Sequence, residues 1–394
     1  MNKKKDSQTL FEMAMIVLAV KDMLEATSLF HRPEWVDSLL VLMFLFFICW
    51  KLALQTYTFV RLCFMGGLGA LCVYTCVNGN YFFMFLSYLC IIAMQDVDLT
   101  EALKKPIIIK ICITVVHILY YAVIRVVSPE SISYIYRNGV KRSFFFLSHP
   151  NTFSMIILWS TIALAYIFYK SINRIHLGVF WFINFFFYLF TNSNTGIMVS
   201  TIVFGLMILE KSQIKLMGAA AVSKYIFGVF SVVIPAFVAV YPKLSGGLLE
   251  VYNKLNDFFT GRLIFGSYVY DIYGISWLGR TIFFPKKIYW RGHWFDEVVF
   301  DNAYIWMFVI YGYFYLLLMS MAFILISKRT TTVEKILIIG YAFYGIMEAY
   351  IISASFCMPL LFIGKYMYQA LDEKKQKKRI VQEKNAERKR IHGN

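Results

Sequence analysis

Charge is what this sequence has least of. Charged residues fill 16% of its 394 positions, and the acidic ones are the scarcer, 23 Asp and Glu against 39 Lys and Arg. A soluble domain carries about a quarter charged residues, so most of this chain's surface is not made for water. Cysteine is sparse as well, seven residues without a C-x-x-C pair, which removes the usual zinc and redox signatures. A phosphate-cradling P-loop, a zinc-binding H-E-x-x-H and the G-x-S-x-G turn of serine hydrolases are all missing. No internal repeat is evident. Lys3, Lys4 and Lys5 precede an apolar stretch from Leu10, but no small-residue cleavage site follows, so no cleavable signal peptide is expected.

What fills the chain instead is apolar residue in long runs: 59% hydrophobic, 19% aromatic, with a mean hydropathy of +0.62. In lipid the backbone must satisfy its own polar groups, which leaves helices or closed barrels. Barrel strands alternate apolar and polar residues; these runs do not alternate. The expectation is an all-α, polytopic integral membrane protein forming one transmembrane domain over 1–394. Windows of about twenty residues predict twelve spans, at 10–29, 38–56, 58–77, 81–95, 107–127, 151–169, 175–191, 197–210, 222–241, 301–326, 335–350 and 354–369. All seven cysteines fall inside them as small apolar residues.

Lys and Arg in short loops set orientation. A cytoplasmic N-terminus puts Lys51, Lys104, Lys105, Lys170, Arg174, Lys211, Lys215, Lys328, Arg329 and Lys335 inside. Only Arg32, Arg137, Lys141 and Arg142 then fall in short outside loops. Both termini are therefore expected in the cytoplasm. The net charge of +16 follows from this pattern and from the tail, and no nucleic-acid-binding arrangement appears. After Tyr368 the tail carries nine basic and four acidic residues, so 370–394 is expected to be a cationic cytoplasmic extension drawn to anionic lipid headgroups.

One outside segment, 242–300, is too long for a connector, and loops of that size are usually functional. It holds seven basic and five acidic residues among interleaved aromatics. Four polar clusters gather on this outer side. Arg142-Ser-Phe-Phe-Phe-Leu-Ser-His149-Pro150-Asn151 stands at the mouth of the sixth span, where Pro150 suits a first helical turn and keeps His149 extended. Thr191-Asn192-Ser193-Asn194-Thr195-Gly196 is a polar turn. Gly261-Arg262 is followed by Arg280, Lys286, Lys287, Arg291 and His293; converging guanidiniums suit phosphate oxygens. Phe300-Asp301-Asn302-Ala303-Tyr304 leads back into the membrane, where Asp301 has the makings of a helix cap. Blander readings fit each cluster alone: a proline-started helix, a plain turn, scattered loop charges and a cap. Their collection on one side is what suggests a site.

Other features read as structure. Asp96-Val97-Asp98 is a helix-end charge cluster rather than a metal-holding D-x-D. Gly66, Gly67 and Gly69 read as helix packing, and His117 as an interior residue. Glu348, an ionisable group near the outer end of the eleventh span, is a functional hypothesis, expected to pair with an arginine of the large loop.

The ordered set resembles the Wzy-type polysaccharide polymerases, relatives of the O-antigen polymerases and ligases. The matching residues are Ser148-His149-Pro150-Asn151, the Thr191 to Gly196 turn, Gly261-Arg262, Asp301-Asn302-Ala303-Tyr304 with Tyr311-Gly312, and Tyr344-Gly345-Ile346-Met347-Glu348. They cover nearly the whole chain. One departure stands out: where the family often has Ser-Arg-Thr-Gly, Asn194 occupies the arginine's place, and Arg142 is the candidate to supply that charge. The resemblance implies a GT-C-like, metal-independent glycosyltransferase in the bacterial cytoplasmic membrane. It joins polyprenyl (undecaprenyl) diphosphate-linked repeat units into capsule, exopolysaccharide or O-antigen, with a flippase and a chain-length regulator as partners and no cofactor. For that chemistry Arg262 and Arg280 are candidates to stabilise the diphosphate, with Arg142 and Arg291 in support. His149, His293 and Asp301 are alternative bases; Asn151, Asn302, Tyr304 and Glu348 are candidate substrate contacts. A ligase using the same donor, and a transporter or flippase with its site at the membrane midplane, are the alternatives.

Overall fold

The computed structural model describes residues 3–79, 82–137, 139–214, 216, 218–259, 261–283, 287–295 and 301–369. The basic tail at 370–394 lies outside them. The described chain is mostly helical, and seven of its helices are long and apolar enough to cross a membrane: Glu34–Ala53, Phe59–Gly79, Leu99–Val127, Pro150–Ile167, Arg174–Thr191, Asn194–Lys211 and Ala219–Lys243. In chain order the helices are α1 (Lys3–Ala26), α2 (Glu34–Ala53), α3 (Phe59–Gly79), α4 (Phe83–Ile92), α5 (Leu99–Val127), α6 (Pro150–Ile167), α7 (Arg174–Thr191), α8 (Asn194–Lys211) and α9 (Ala219–Val240). Then come α10 (Gly246–Phe258), α11 (Arg262–Tyr273), α12 (Ala303–Trp306), α13 (Tyr313–Ile326), α14 (Thr332–Met347) and a last helix over 361–369.

Exposure identifies the solvent. On α2, Leu42, Phe46 and Trp50 face outward, and on α3 Phe59, Val60 and Phe64 do the same. Helices that are apolar on the face turned away from the protein need lipid, not water. The charged α1 differs. It packs against α2 and α5 with Lys21 and Asp22 buried.

Several expected spans end early or break. The window at 81–95 is helical only over Phe83–Ile92. The window at 301–326 is interrupted by a π-helical stretch, Met307–Gly312, between α12 and α13. The window at 354–369 begins as irregular backbone with a 3-10 turn at Met358–Leu360, and becomes helical only from residue 361. Long-range bonds explain the π stretch. The backbone of residues 276–280 lies alongside it: Ser276 N donates to Phe308 O at 3.0 Å, Arg280 N to Ile310 O at 2.8 Å, and Tyr313 N to Ser276 O at 2.8 Å. Thr75 of α3 closes the arrangement by donating to Leu278 O at 2.7 Å. Broken helices are tolerated at such depth where protein covers them. Gly312 is the residue that permits it. Its φ is +116°, and a Cβ there would stand 2.6 Å from Trp277 O.

The segment at 242–300 is more than a plain connector in its described residues. It contains α10, α11 and the hairpin β3 (Ile288–Trp290) and β4 (His293–Phe295), whose turn residues Arg291 and Gly292 both have positive φ, as a two-residue hairpin turn requires. A second hairpin, β1 (Ile135–Arg137) and β2 (Val140–Arg142), precedes α6.

Lysines near helix ends tie neighbouring segments together at one end of the bundle. Lys105 pairs with Glu12 at 2.7 Å, Lys211 donates to Tyr169 O at 2.7 Å, and Lys365 pairs with Glu334 at 2.7 Å. At the opposite end Ser28 N donates to Phe146 O at 2.8 Å and Ser143 N to Phe190 O at 2.9 Å. Asp98 caps α5 through Thr100 N at 2.9 Å, in line with its helix-end reading. Gly66 and Gly67 differ from expectation: a Cβ at either would meet nothing within 4 Å, and Gly69 approaches only Tyr88.

Gly312→Ala should therefore destabilise the protein by about 1–3 kcal/mol, the usual cost of a strained backbone conformation. Gly66→Ala should be neutral or stabilising by up to about 1 kcal/mol. Thermal unfolding of the two variants in detergent micelles measures the difference; equal melting temperatures would contradict the assignment of Gly312.

Candidate functional site

The end that carries the hairpin β1–β2 also gathers the polar clusters. Cross-strand pairing sets Ile135 opposite Arg142 and Arg137 opposite Val140. Paired residues share a face and so do residues two apart, which puts Arg137 and Arg142 on the same side of the ribbon. Arg142 is buried. Its Nε donates to Thr191 O at 2.7 Å and its Nη2 to Asn151 Oδ1 at 2.7 Å. One guanidinium thus satisfies a carbonyl left open at the end of α7 and fixes the start of α6. This also places Arg142 over the Thr191–Gly196 turn, which contains Asn194.

At the start of α6, His149 is extended (φ −156°, ψ 151°) and accepts from Asn151 N through Nδ1 at 3.1 Å, in keeping with the proline that follows it. With Nδ1 an acceptor, the neutral ring carries its proton on Nε2. Burial and the nearby Arg142, Arg262 and Arg137 push the imidazole down to about 4. At neutral pH His149 is therefore an uncharged hydrogen-bond donor, and a poor base.

Glu348 follows α14 and is buried. Its Oε1 accepts from Asn151 Nδ2 at 3.2 Å and Thr195 Oγ1 at 3.2 Å, and stands 3.5 Å from Arg262 Nη2. The pairing with an arginine of the large segment is thus made by Arg262, at the first position of α11. Gly261 at φ +86° makes the turn that starts this helix. The same Nη2 is 3.3 Å from Asp301 Oδ2, whose side chain is 31% exposed where that of Glu348 is 5% exposed. Burial raises the Asp301 carboxyl while Arg262 opposes the rise. Arg142 is pulled down to about 10 by burial and by Arg137, and stays protonated at neutral pH.

Together Arg137, Arg142, His149, Asn151, Arg262, Phe265 and Asp301 line a cavity of about 210 Å³. Among the described residues, three guanidiniums meet two carboxylates here, Asp301 and, behind Asn151, Glu348, leaving one excess positive charge. Such a site favours an anion with several oxygens. Among the described residues, the larger apolar groove between α8, α9 and α14 holds no comparable polar groups.

Not every expected residue belongs to this cavity. Asp301 is not the helix cap: Asn302 takes that place, accepting from Ile305 N at 3.2 Å and donating to Ile346 O at 2.6 Å. The ion pair with Arg262 draws the Asp301 carboxylate elsewhere. Arg280 does not line the cavity; its guanidinium donates to the carbonyls of Tyr273 and Ile275 at the end of α11. Arg291 holds the second hairpin down through Asp271 at 3.5 Å and Pro242 O at 3.2 Å. Tyr304 is fully buried and donates to Ala342 O at 2.9 Å. The side chain of His293 lies outside the described residues. Arg137 and Phe265 join the cavity without having been singled out by the sequence. The Arg137-Asn138-Gly139-Val140 turn signal is the clue that Arg137 shares a face with Arg142.

Comparison of the chain with protein-family models, with curated proteins and with solved structures finds no match.

The depressed His149 has a consequence for stability. A group whose folded pKa of about 4 lies below the ordinary histidine value near 6.5 contributes stability that is complete above that value. The contribution is lost as pH falls through the folded pKa. Wild-type protein should lose more thermal stability than His149→Gln between pH 7 and pH 4. Parallel curves for the two would show that the cavity does not hold His149 neutral.

Proposed function

We propose that the protein is a membrane glycosyltransferase that polymerises polyprenyl-diphosphate-linked oligosaccharide repeat units on the outer face of the bacterial cytoplasmic membrane. The carrying observation is the cavity at one end of the bundle, where Arg137, Arg142 and Arg262 face Asp301 and the uncharged His149. The resemblance of the ordered motifs supports the same reading. In this account the chain crosses the membrane twelve times in a GT-C-like arrangement. Both termini lie in the cytoplasm, and 242–300 is external.

The chemistry follows from the groups in place. An acceptor sugar hydroxyl attacks the anomeric carbon of the donor glycan. The bond from that carbon to the diphosphate oxygen breaks, and the lipid diphosphate leaves with the electron pair. Arg137, Arg142 and Arg262 stabilise the charge that develops on it. The hydroxyl proton passes to Asp301, which is more exposed than Glu348. His149 donates a hydrogen bond through Nε2 to a phosphate or sugar oxygen. Glu348, enclosed by three donors, orients Arg262 and Asn151. Transfer to a different acceptor, as in a ligase, would use the same donor chemistry.

A transporter of lipid-linked oligosaccharide is the second reading. The breaks at Met307–Gly312 and after Met347 favour it, because transporters use interrupted helices. The position of the arginines at the bundle end favours the enzyme.

Two outcomes are expected. Asp301→Asn leaves the Asn302 cap intact and should reduce polymer formation about 10²–10⁴-fold, with single-repeat lipid-linked units accumulating on the outer face. Arg262→Lys, which loses the two-pronged fork, should impair it too. Analysis of cell glycans checks both; full-length polymer at normal amounts from each variant would contradict the mechanism, and repeat units trapped on the inner face would favour transport. For orientation, cysteines placed at the exposed Ser245 and Lys328 report opposite sides, with Ser245 labelled by an impermeant reagent in intact cells. Labelling at Lys328 alone would invert the topology.

A further inference from the structure

Glu348 stands where a helix stops. Beyond it the chain runs through a 3-10 turn at Ala349–Ile352, irregular backbone and a second turn at Met358–Leu360, nearly all of it buried. Backbone groups in such a segment lack helical partners and must find others inside the protein. They find side chains on three helices, one of which is paired in turn with a fourth. Tyr341 of α14 donates to Ile351 O at 2.7 Å. Ser87 of α4 donates to Ile352 O at 2.7 Å and accepts from Ala354 N at 2.9 Å. Lys110 of α5 donates to Ser355 O at 2.8 Å and to Asp22 Oδ2 of α1 at 3.2 Å, and Ser355 Oγ also donates to Asp22.

The Lys110–Asp22 pair is the unusual member. Both side chains are buried, at 5% and 1% exposure, and Lys110 lies within a membrane-crossing helix. Asp22 is ten residues beyond Glu12, which pairs with Lys105 at the bundle end. At helical rise that places it about 15 Å from this end of α1 and about one turn from the other, at Ala26. Buried charges are costly, and one within a membrane-spanning helix, as Lys110 is, marks function by default. Neither residue lines the arginine cavity. What they hold is Ser355, seven residues along the chain from Glu348.

We infer that Lys110 and Asp22 are positioning residues, a buried charged clamp that fixes the 348–357 segment and thereby sets Glu348 against Arg262 and Asn151. The inference rests on the reading of Glu348 as part of the site. Ser87 and Tyr341 hold the middle of the segment; the charged pair holds its far end. A lysine satisfies the requirement because a single ammonium reaches both a carbonyl and a carboxylate, and the carboxylate in turn receives the Ser355 hydroxyl.

The test uses the full chain in lipid nanodiscs and in cells. Lys110→Met alone leaves Asp22 buried without its cation and invites misfolding. The neutral pair Asp22→Asn/Lys110→Met keeps the fold by removing both charges, yet loses the bond to Ser355 O. Hydrogen–deuterium exchange of the double variant should rise across 348–357 and stay unchanged across 303–306. Unchanged exchange at 348–357 in a folded double variant would overturn the inference, whatever the protein's activity. In cells the double variant should lose polymer formation by up to about 100-fold, as expected for a misplaced site group. It should add little to the loss already caused by Glu348→Gln. Losses that multiply would mean that the clamp acts independently of Glu348, which also overturns the inference. If exchange rises but neither variant affects polymer, the clamp stands and the assigned reaction falls.

Discussion

The guanidinium of Arg262 sits between Asp301 and Glu348, and much of the molecule is arranged so that it can. A buried charge must be paired, and these three residues come from three distant stretches of chain. Pairing them pulls the start of α11 down onto the bundle and the entry to α12 beside it. It also ties the end of α14 to both. The start of α11 is therefore part of the folded body, and the hairpin bearing Arg137 and Arg142 completes the enclosure from the other side.

The same economy of polar groups explains the irregular backbone. Helices that cross lipid satisfy themselves; helices that stop inside it do not. At Met307–Gly312 the missing partners come from the backbone of 276–280, and after Met347 they come from Ser87, Tyr341 and Lys110. At the opposite end Glu334 performs a related task. It caps α14 together with Thr331 and binds Lys365 and Tyr166, which joins the last helix to α6 and α14. Buried polar residues at helix ends, Thr191, Arg262, Asn302, Glu334 and Glu348 among them, carry this task.

Much of this is legible in the sequence, and the exceptions share a cause. Unbroken apolar runs identify the long helices because period and length are local properties. Glu348 is legible because an ionisable side chain at the end of an apolar run is too costly to keep there without a partner. The π stretch is not, since a hydropathy window averages over it and the bonds that hold it come from thirty residues away. Asp301 and Asn302 are equally good caps by residue type, and only the position of Arg262 decides which carboxylate or amide does what. Arg262 and Arg280 look alike on paper. The structure separates them because α11 starts at one and the carbonyls at its other end bind the other.

In the reaction we propose, the arginine-lined cavity carries out glycosyl transfer from a lipid diphosphate. Purified protein in proteoliposomes, supplied on the side of 242–300 with polyprenyl-diphosphate-linked repeat units, tests it most directly. The account predicts a ladder of products spaced by one repeat, with one polyprenyl diphosphate released for each bond formed and both lost in Arg262→Ala. Repeat units that cross the bilayer chemically unchanged, or a ladder undiminished by Arg262→Ala, would contradict it.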